Sequence, residues 1–339
     1  MKTKTLLLAT SVVLLGSTAC VRNPPLASPE ADYKPGRYQV FTGSGTAASL
    51  DDVVRAMTVQ QVVFIGETHD DPTGHMLEHE LWKRAALAYG AARPVALSLE
   101  FFERDVQATL DEYLAGRVSD STFRANARPW PRYQTDYRPL IEFAKDQKLP
   151  VIAANAPRRF VTMVSRQGRA ALDSLTAEEQ ALLAPLPYGK ASPAYRNQWI
   201  AMISRVMEQE GKKCGVAVTH ADAPPGTHQN MGNQLDSQVL WDATMAHSIA
   251  RYLERNPNAL VLHMVGGFHV ERGTGTPEQL QAYAPGTRAL VVSLRPVADV
   301  QKFEGAPEGT WGDFVIQTEK ARTLEAIECR QFLAERARK

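Results

Sequence analysis

The sequence carries almost no net charge. Its 38 basic and 37 acidic side chains leave +1. A nucleic-acid partner selects a strongly basic face, so that class is excluded. Beyond the N-terminus no apolar run approaches the roughly 18 residues of a membrane-spanning helix. Cysteine is scarce: the three residues are Cys20, Cys214 and Cys329, no two of them close. That spacing excludes a cysteine-built zinc site. There are no internal repeats, and no HExxH pattern.

What the chain does have is a core. Hydrophobic residues make up 44% of 339 positions, enough for one large domain or two. The N-terminus stands apart. MKTKTLLLATSVVLLGSTAC has Lys2 and Lys4, an apolar stretch to Leu15, then small residues. This reads as a signal peptide over residues 1–19, outside the fold. Cys20 stands where a bacterial lipobox ends, although Ser17 occupies the usual Leu position. Lipid attachment at Cys20 is the expectation; ordinary cleavage after Ala19 is the alternative. Residues 20–36 then form a lipidated cysteine and a polar, proline-containing tether. The expected location is the bacterial cell envelope, on the outer membrane facing the periplasm, with the lipid as the only membrane contact. In such an oxidising compartment Cys214 and Cys329 are free to pair, and the sequence leaves that pairing open.

Short β-rich apolar runs recur along the body: QVVFIG (61–66), PVALSLEF (94–101), LPVIAAN (149–155), ALVLHMVGG (259–267), ALVVSLRPV (289–297) and DFVIQT (313–318). Continuous apolar runs suit strands covered on both faces. Helical patterns alternate with them. The spacing of Leu77, Leu81 and Ala85 predicts one, and others fall near 103–115 and 138–147. The fold class is therefore α/β: a mainly parallel sheet with helices on both faces. The stretch 157–257 has no convincing strand and reads as a helical insertion or subdomain. The main domain runs over 37–318, and 319–339 forms a charged C-terminal helix.

In such sheets sites form at the carboxyl ends of strands. Glu67 and His69 follow the first run, two residues apart, so an extended backbone points both the same way. Glu100 ends the second run. Asn155 ends the third, with Arg158 close behind. His269 follows the fourth after a glycine pair. Two carboxylates and two imidazoles can hold a divalent metal and a water; without metal, Glu and His can act as general acid and base. Glu67, His69, Glu100 and His269 are thus the candidate catalytic or metal residues. His75 and His79, at i and i+4, are expected on a solvated helix face. Asp242 reads as the cap of a helix, and His263 as a core histidine. His220, His228 and His247 fit no pattern. Aromatic segments around Tyr133 and Tyr137, and around Tyr188 and Tyr195, either pack a long loop or line a pocket for a flat apolar ligand.

Five motifs together resemble a known family. GETHDD (66–71), LSLEFF (97–102), NAPRRF (155–160), LWDATMAHSI (240–249) and GGFHV (266–270) are similar to the ChaN-like haem-binding lipoproteins, a branch of a superfamily with the Tiki metalloproteases and erythromycin esterase-like hydrolases. The resemblance covers roughly 37–297. It implies a role in haem or iron uptake, possession of haem as cofactor and an outer-membrane uptake system as partner. It also implies a homodimer with haem between subunits, a tyrosine on the iron, and basic side chains on the propionates. Tyr133 and Tyr137 are the first candidates for that tyrosine, then Tyr188 and Tyr195. Asn155 and Arg158 are further pocket candidates. Where this chain has Phe160, many relatives carry Tyr. From the hydrolytic branch the resemblance implies a metal-dependent hydrolase using His69, Glu100 and His269.

Overall fold

All six anticipated runs are strands, and they lie in one sheet. The computed structural model describes residues 37–213 and 227–320; for 206–213 and 227–230 it describes the backbone alone. The expected signal peptide, Cys20 and the expected tether, Cys214, Cys329, His220 and the expected C-terminal helix beyond Lys320 lie outside the described residues.

The elements run β1 Tyr38–Thr42, β2 Ala47–Ala48, α1 Leu50–Ala56, β3 Val62–Glu67, α2 Pro72–Tyr89, β4 Val95–Glu103, α3 Gln107–Leu114, α4 Asp120–Ala127, α5 Arg138–Asp146 and β5 Val151–Asn155. Then come α6 Arg158–Gln167, α7 Ala177–Gln180, α8 Pro193–Lys213, α9 Thr227–Arg255, β6 Leu260–Gly266, α10 Thr276–Tyr283, β7 Ala289–Val297 and β8 Phe314–Glu319. The sheet order is β2-β1-β8-β7-β3-β6-β4-β5. β3 to β8 are parallel to one another, while β1 pairs antiparallel with β8 and β2.

Every residue of β3 and β6 is buried, as expected of strands covered on both faces. Side chains alternate between two cores. Val63, Ile65, Leu97 and Leu99 pack with α2, α3 and α5, whereas Val62, Phe64, Ala96 and Val261 pack with α9 and α10. A third apolar cluster, with Phe160, Val164, Tyr195 and Leu240, belongs to α6, α8 and α9. Between β5 and β6 the described residues form helices and no strand. The half-buried Arg104 guanidinium, just after β4, ties this helical region to the sheet. It donates to Leu183 O (2.6 Å), Thr244 O (2.9 Å) and Ser248 Oγ (2.7 Å).

Strand order places β3, β6 and β4 side by side. Their carboxyl ends therefore share one edge. Local irregularity frees the groups there: the β4–β5 register shifts between Leu99 and Glu103, a bulge of the kind that re-aims side chains beside sites. Glu100 lies in that bulge.

His263 sits within β6, fully buried, with Nδ1 2.9 Å from Ser98 Oγ on β4. Burial, and then the nearby charge of His269, push its pKa down from 6.5 to about 3. It is neutral when folded and takes a proton when unfolded. Its contribution is therefore complete above pH 6.5 and declines as pH falls towards 3, by about 1.4 kcal/mol per unit. Urea unfolding of the wild type and His263→Gln at pH 7, 6 and 5 checks this. The stability gap between them narrows as acid is added.

Candidate functional site at the strand ends

Glu67 ends β3 with its carboxylate buried. A buried carboxylate is costly unless it is paired, and three groups from different segments answer it. His69 Nδ1 lies 2.5 Å from Oε1 and His75 Nδ1 lies 2.9 Å from Oε2. Tyr137 donates its hydroxyl to Oε1 at 3.1 Å. Burial opposes ionisation of Glu67, but the two imidazoles hold it down to about 2.

His69 is the open member of the group, its side chain half exposed. Trp130 meets its ring edge-on at 5.2 Å between centroids. With Nδ1 held by Glu67, the Nε2 edge lies over Gly266. A Cβ at 266 would stand 3.1 Å from His69 Nε2 and 3.5 Å from Glu100 Oε2, so the lack of a side chain there lets both groups approach. Glu100 accepts the Gly266 N–H at 2.7 Å, and Asn155 Nδ2 donates to the Glu100 carbonyl at 3.0 Å. Asn155 is thus a positioning residue for the bulge.

His269 completes the set from a single turn after β6. Its Nε2 is 3.8 Å from Glu100 Oε1, and its Nδ1 is 2.9 Å from Asp242 Oδ1. Burial works against its charge, but Asp242 raises its pKa to about 9. Asp242 does not cap a helix as anticipated. α9 begins at Thr227, which leaves Asp242 fully buried in mid-helix. There it also accepts from Thr276 Oγ1 (2.8 Å) and from the Tyr195 hydroxyl. The four residues anticipated at the strand ends are therefore brought together. Two carboxylates, Glu67 and Asp242, each orient an imidazole so that its Nε2 edge faces Glu100. Metal-binding histidines commonly have this support.

The expected solvated face of α2 is corrected for His75. His75 and Glu78 are buried. They lie on the same side of α2 as Leu81, Trp82 and Ala85, because i and i+3 share a face. His75 Nδ1 is 3.1 Å from Glu78 Oε2, and its Nε2 is 3.1 Å from His69 O. Glu67, His75 and Glu78 bring their ligand atoms within 4.8 Å of one another. Glu78 Oε1 has no partner among the described residues. This donor set suits a divalent cation, a second candidate beneath the first. Burial and the Glu67 charge push Glu78 up to about 8, while Glu67 and Glu78 overcome burial to raise His75 to about 11. His79 is only half-buried, with its ring against Phe143.

Of the two readings left open for the candidate tyrosines, packing fits their placement: all four are buried. Tyr137 stacks on Phe101 with centroids 3.8 Å apart. Tyr133 packs between Phe102 and Phe123, and its hydroxyl has no partner among the described residues. Tyr188 donates to Asp236 O at 2.9 Å under the Arg169 guanidinium. Tyr195 is bound to Asp242. Burial raises all four above the ordinary phenol value. Of the remaining candidates Arg158 is exposed, and Phe160 is buried in the helical cluster.

A family model described as haem-binding uptake, Tiki superfamily, ChaN matches residues 53–280, more than half of the chain. The chain belongs to that family. Among solved structures it is similar to ChaN of Campylobacter jejuni, described as binding haem cofacially. That match has a TM-score of 0.61 and 15% identity, covering 83% of this chain and 97% of the other, and it shows the ChaN fold. A Bacillus cereus protein matches at TM-score 0.44 and 13% identity, over 80% of this chain and 92% of the other. A curated relative, Protein RETICULATA-RELATED 5, chloroplastic, of Arabidopsis thaliana, is 24% identical over 264 residues, 75% of this chain. The chain spans about a third (34%) of that relative's length.

Asp242 neutralises a buried imidazolium and satisfies two hydroxyls, so its loss in this ChaN-family chain strands several groups at once. Asp242→Ala is expected to cost about 3 kcal/mol or more, measured by denaturant unfolding at pH 7. A change under 1 kcal/mol would contradict this account.

Proposed function

We propose that this chain binds haem and serves haem or iron uptake, as a lipid-anchored protein of the bacterial envelope. The observation that carries the reading is the match to the haem-binding uptake family across 53–280. The ChaN fold supports it, as does the signal-like N-terminus ending at Cys20. The partners in this reading are haem, an outer-membrane uptake system and a second copy of the chain. The burial of Tyr133 and Tyr137 argues against either phenol on the iron. Hemin titration followed by absorbance tests the reading. A saturable Soret change is expected, and Tyr133→Phe and Tyr137→Phe are expected to leave that spectrum unaltered. Absence of saturable binding would overturn haem binding itself.

A second reading rests on one arrangement: Glu67–His69 and Asp242–His269 with both Nε2 edges facing Glu100. In this reading the chain is a metal-dependent hydrolase. His69, His269 and Glu100 would hold a divalent ion, which would supply an acidified water. Glu67 and Asp242 keep the imidazoles oriented, and the Gly266 N–H fixes the Glu100 carboxylate. His69, being exposed, stands where a substrate enters. Metal analysis of the purified protein is expected to find about one divalent ion per chain, lost in His269→Ala together with ester or peptide hydrolysis. Retention of the ion in His269→Ala and its loss in His75→Ala would move the metal to the Glu67–His75–Glu78 cluster.

A further inference from the structure

The two outer strands of the sheet are finished differently. At one end stands β2, only two residues long. At the other stands β5, which among the described residues pairs with β4 alone. An outer strand offers a row of unpaired N–H and C=O groups to any extended segment that meets it. Shortness, charge or an internal proline blunts such a strand. β2 is short. β5 is of ordinary length and reads VIAAN, with no charge, and Pro150 stands just before it rather than in it.

Successive residues of a strand turn their backbone groups to opposite edges. Pro150 O accepts from Leu97 N on β4 at 3.0 Å, so Val151 and Ala153 turn theirs outward. There they meet the side chain of Gln107. Its Oε1 accepts the Ala153 N–H at 2.7 Å, and its Nε2 donates to Val151 O at 2.9 Å. A residue of a neighbouring parallel strand makes these same two bonds, donating to the residue before its opposite number and accepting from the residue after it. The amide therefore stands where a further parallel strand would place the residue opposite Ile152. Its position is set by the chain: β4 ends at Glu103, one turn over Arg104–Val106 follows, and Gln107 opens α3. Nε2 also donates to Asp111 Oδ1, one turn along α3, at 2.8 Å. Two acceptors thus hold the NH₂ end and one donor holds the oxygen, which fixes the amide in the orientation that matches the strand.

We infer that Gln107 closes the outer edge of β5 against strand addition, and that without it a second copy of the chain pairs there edge to edge. Two copies related by a twofold axis present the same strand to each other, so β5 meets β5 antiparallel. Neither strand carries a charge to oppose the approach. Pairing would give Val151 O and Ala153 N the partners that Gln107 supplies within one chain. The inference is independent of the haem and hydrolase readings.

The test compares the haem-free full chain with Gln107→Ala and Gln107→Lys. Light scattering across a range of concentrations reads association, and deuterium exchange in dilute and concentrated samples reads the β5 amides. Both variants lose the two bonds, so exchange at Ala153 in dilute solution is expected to rise at least tenfold in each. Gln107→Ala leaves the edge bare and is expected to associate at concentrations at least tenfold below wild type, with the Ala153 amide protected again in the associated form. Gln107→Lys places a charge at the edge, as natural outer strands do, and is expected to keep the wild-type association state. Equal association of Gln107→Ala and wild type would overturn the inference. Equal association of the two variants would also overturn it, by tracing the effect to lost stability rather than to an open edge. Association of Gln107→Ala without renewed protection of Ala153 would overturn it too, by placing the contact on another surface.

Discussion

The structure depends on how one buried carboxylate is satisfied. Glu67 ends the central strand β3 with its side chain out of water. Left alone it would cost several kcal/mol. Its partners come from the loop after β3, from α2 and from the turn before α5: His69, His75 and Tyr137. Each is oriented by the bond it makes. Pairing Glu67 therefore fixes the entry of α2, seats the 133–137 turn on the sheet, and turns the free edge of His69 towards Glu100. The right-hand half of the site repeats the device with Asp242, which holds His269, Tyr195 and Thr276 together. Two buried carboxylates thus join sheet and helices, and the groups they orient face one glycine-cleared space.

Much of this was legible in the sequence because strands buried on both faces leave an unbroken apolar signature. The runs at 61–66 and 259–267 could be read that way, and the polar residue closing each run marked the sheet edge. β1 and β2 were not anticipated. β1 is short, half polar and held by β8, from the other end of the chain, so no local pattern reveals it. Asp242 was misplaced because Gly232 and Asn233 resemble a helix boundary, whereas α9 runs through them from Thr227. His75 was read as solvated because it is polar, and Glu78 was not singled out. Their register with Trp82 and Ala85 was the available signal. What no periodicity could show is that the carboxylate ending the preceding strand faces them.

The tyrosines teach the complementary lesson. Their clustering near loops left packing and a ligand pocket both open, and in the structure they supply bulk that closes the core. Tyr137 does both structural tasks at once, stacking on Phe101 and bonding Glu67.

Family membership points to haem, and the strand ends hold an oriented His–carboxylate site. The most direct measurement of the central constraint is denaturant unfolding of Glu67→Ala beside the wild type at pH 7. The account predicts a loss of about 3 kcal/mol or more, because His69, His75 and Tyr137 lose their shared partner. A loss under 1 kcal/mol would contradict it.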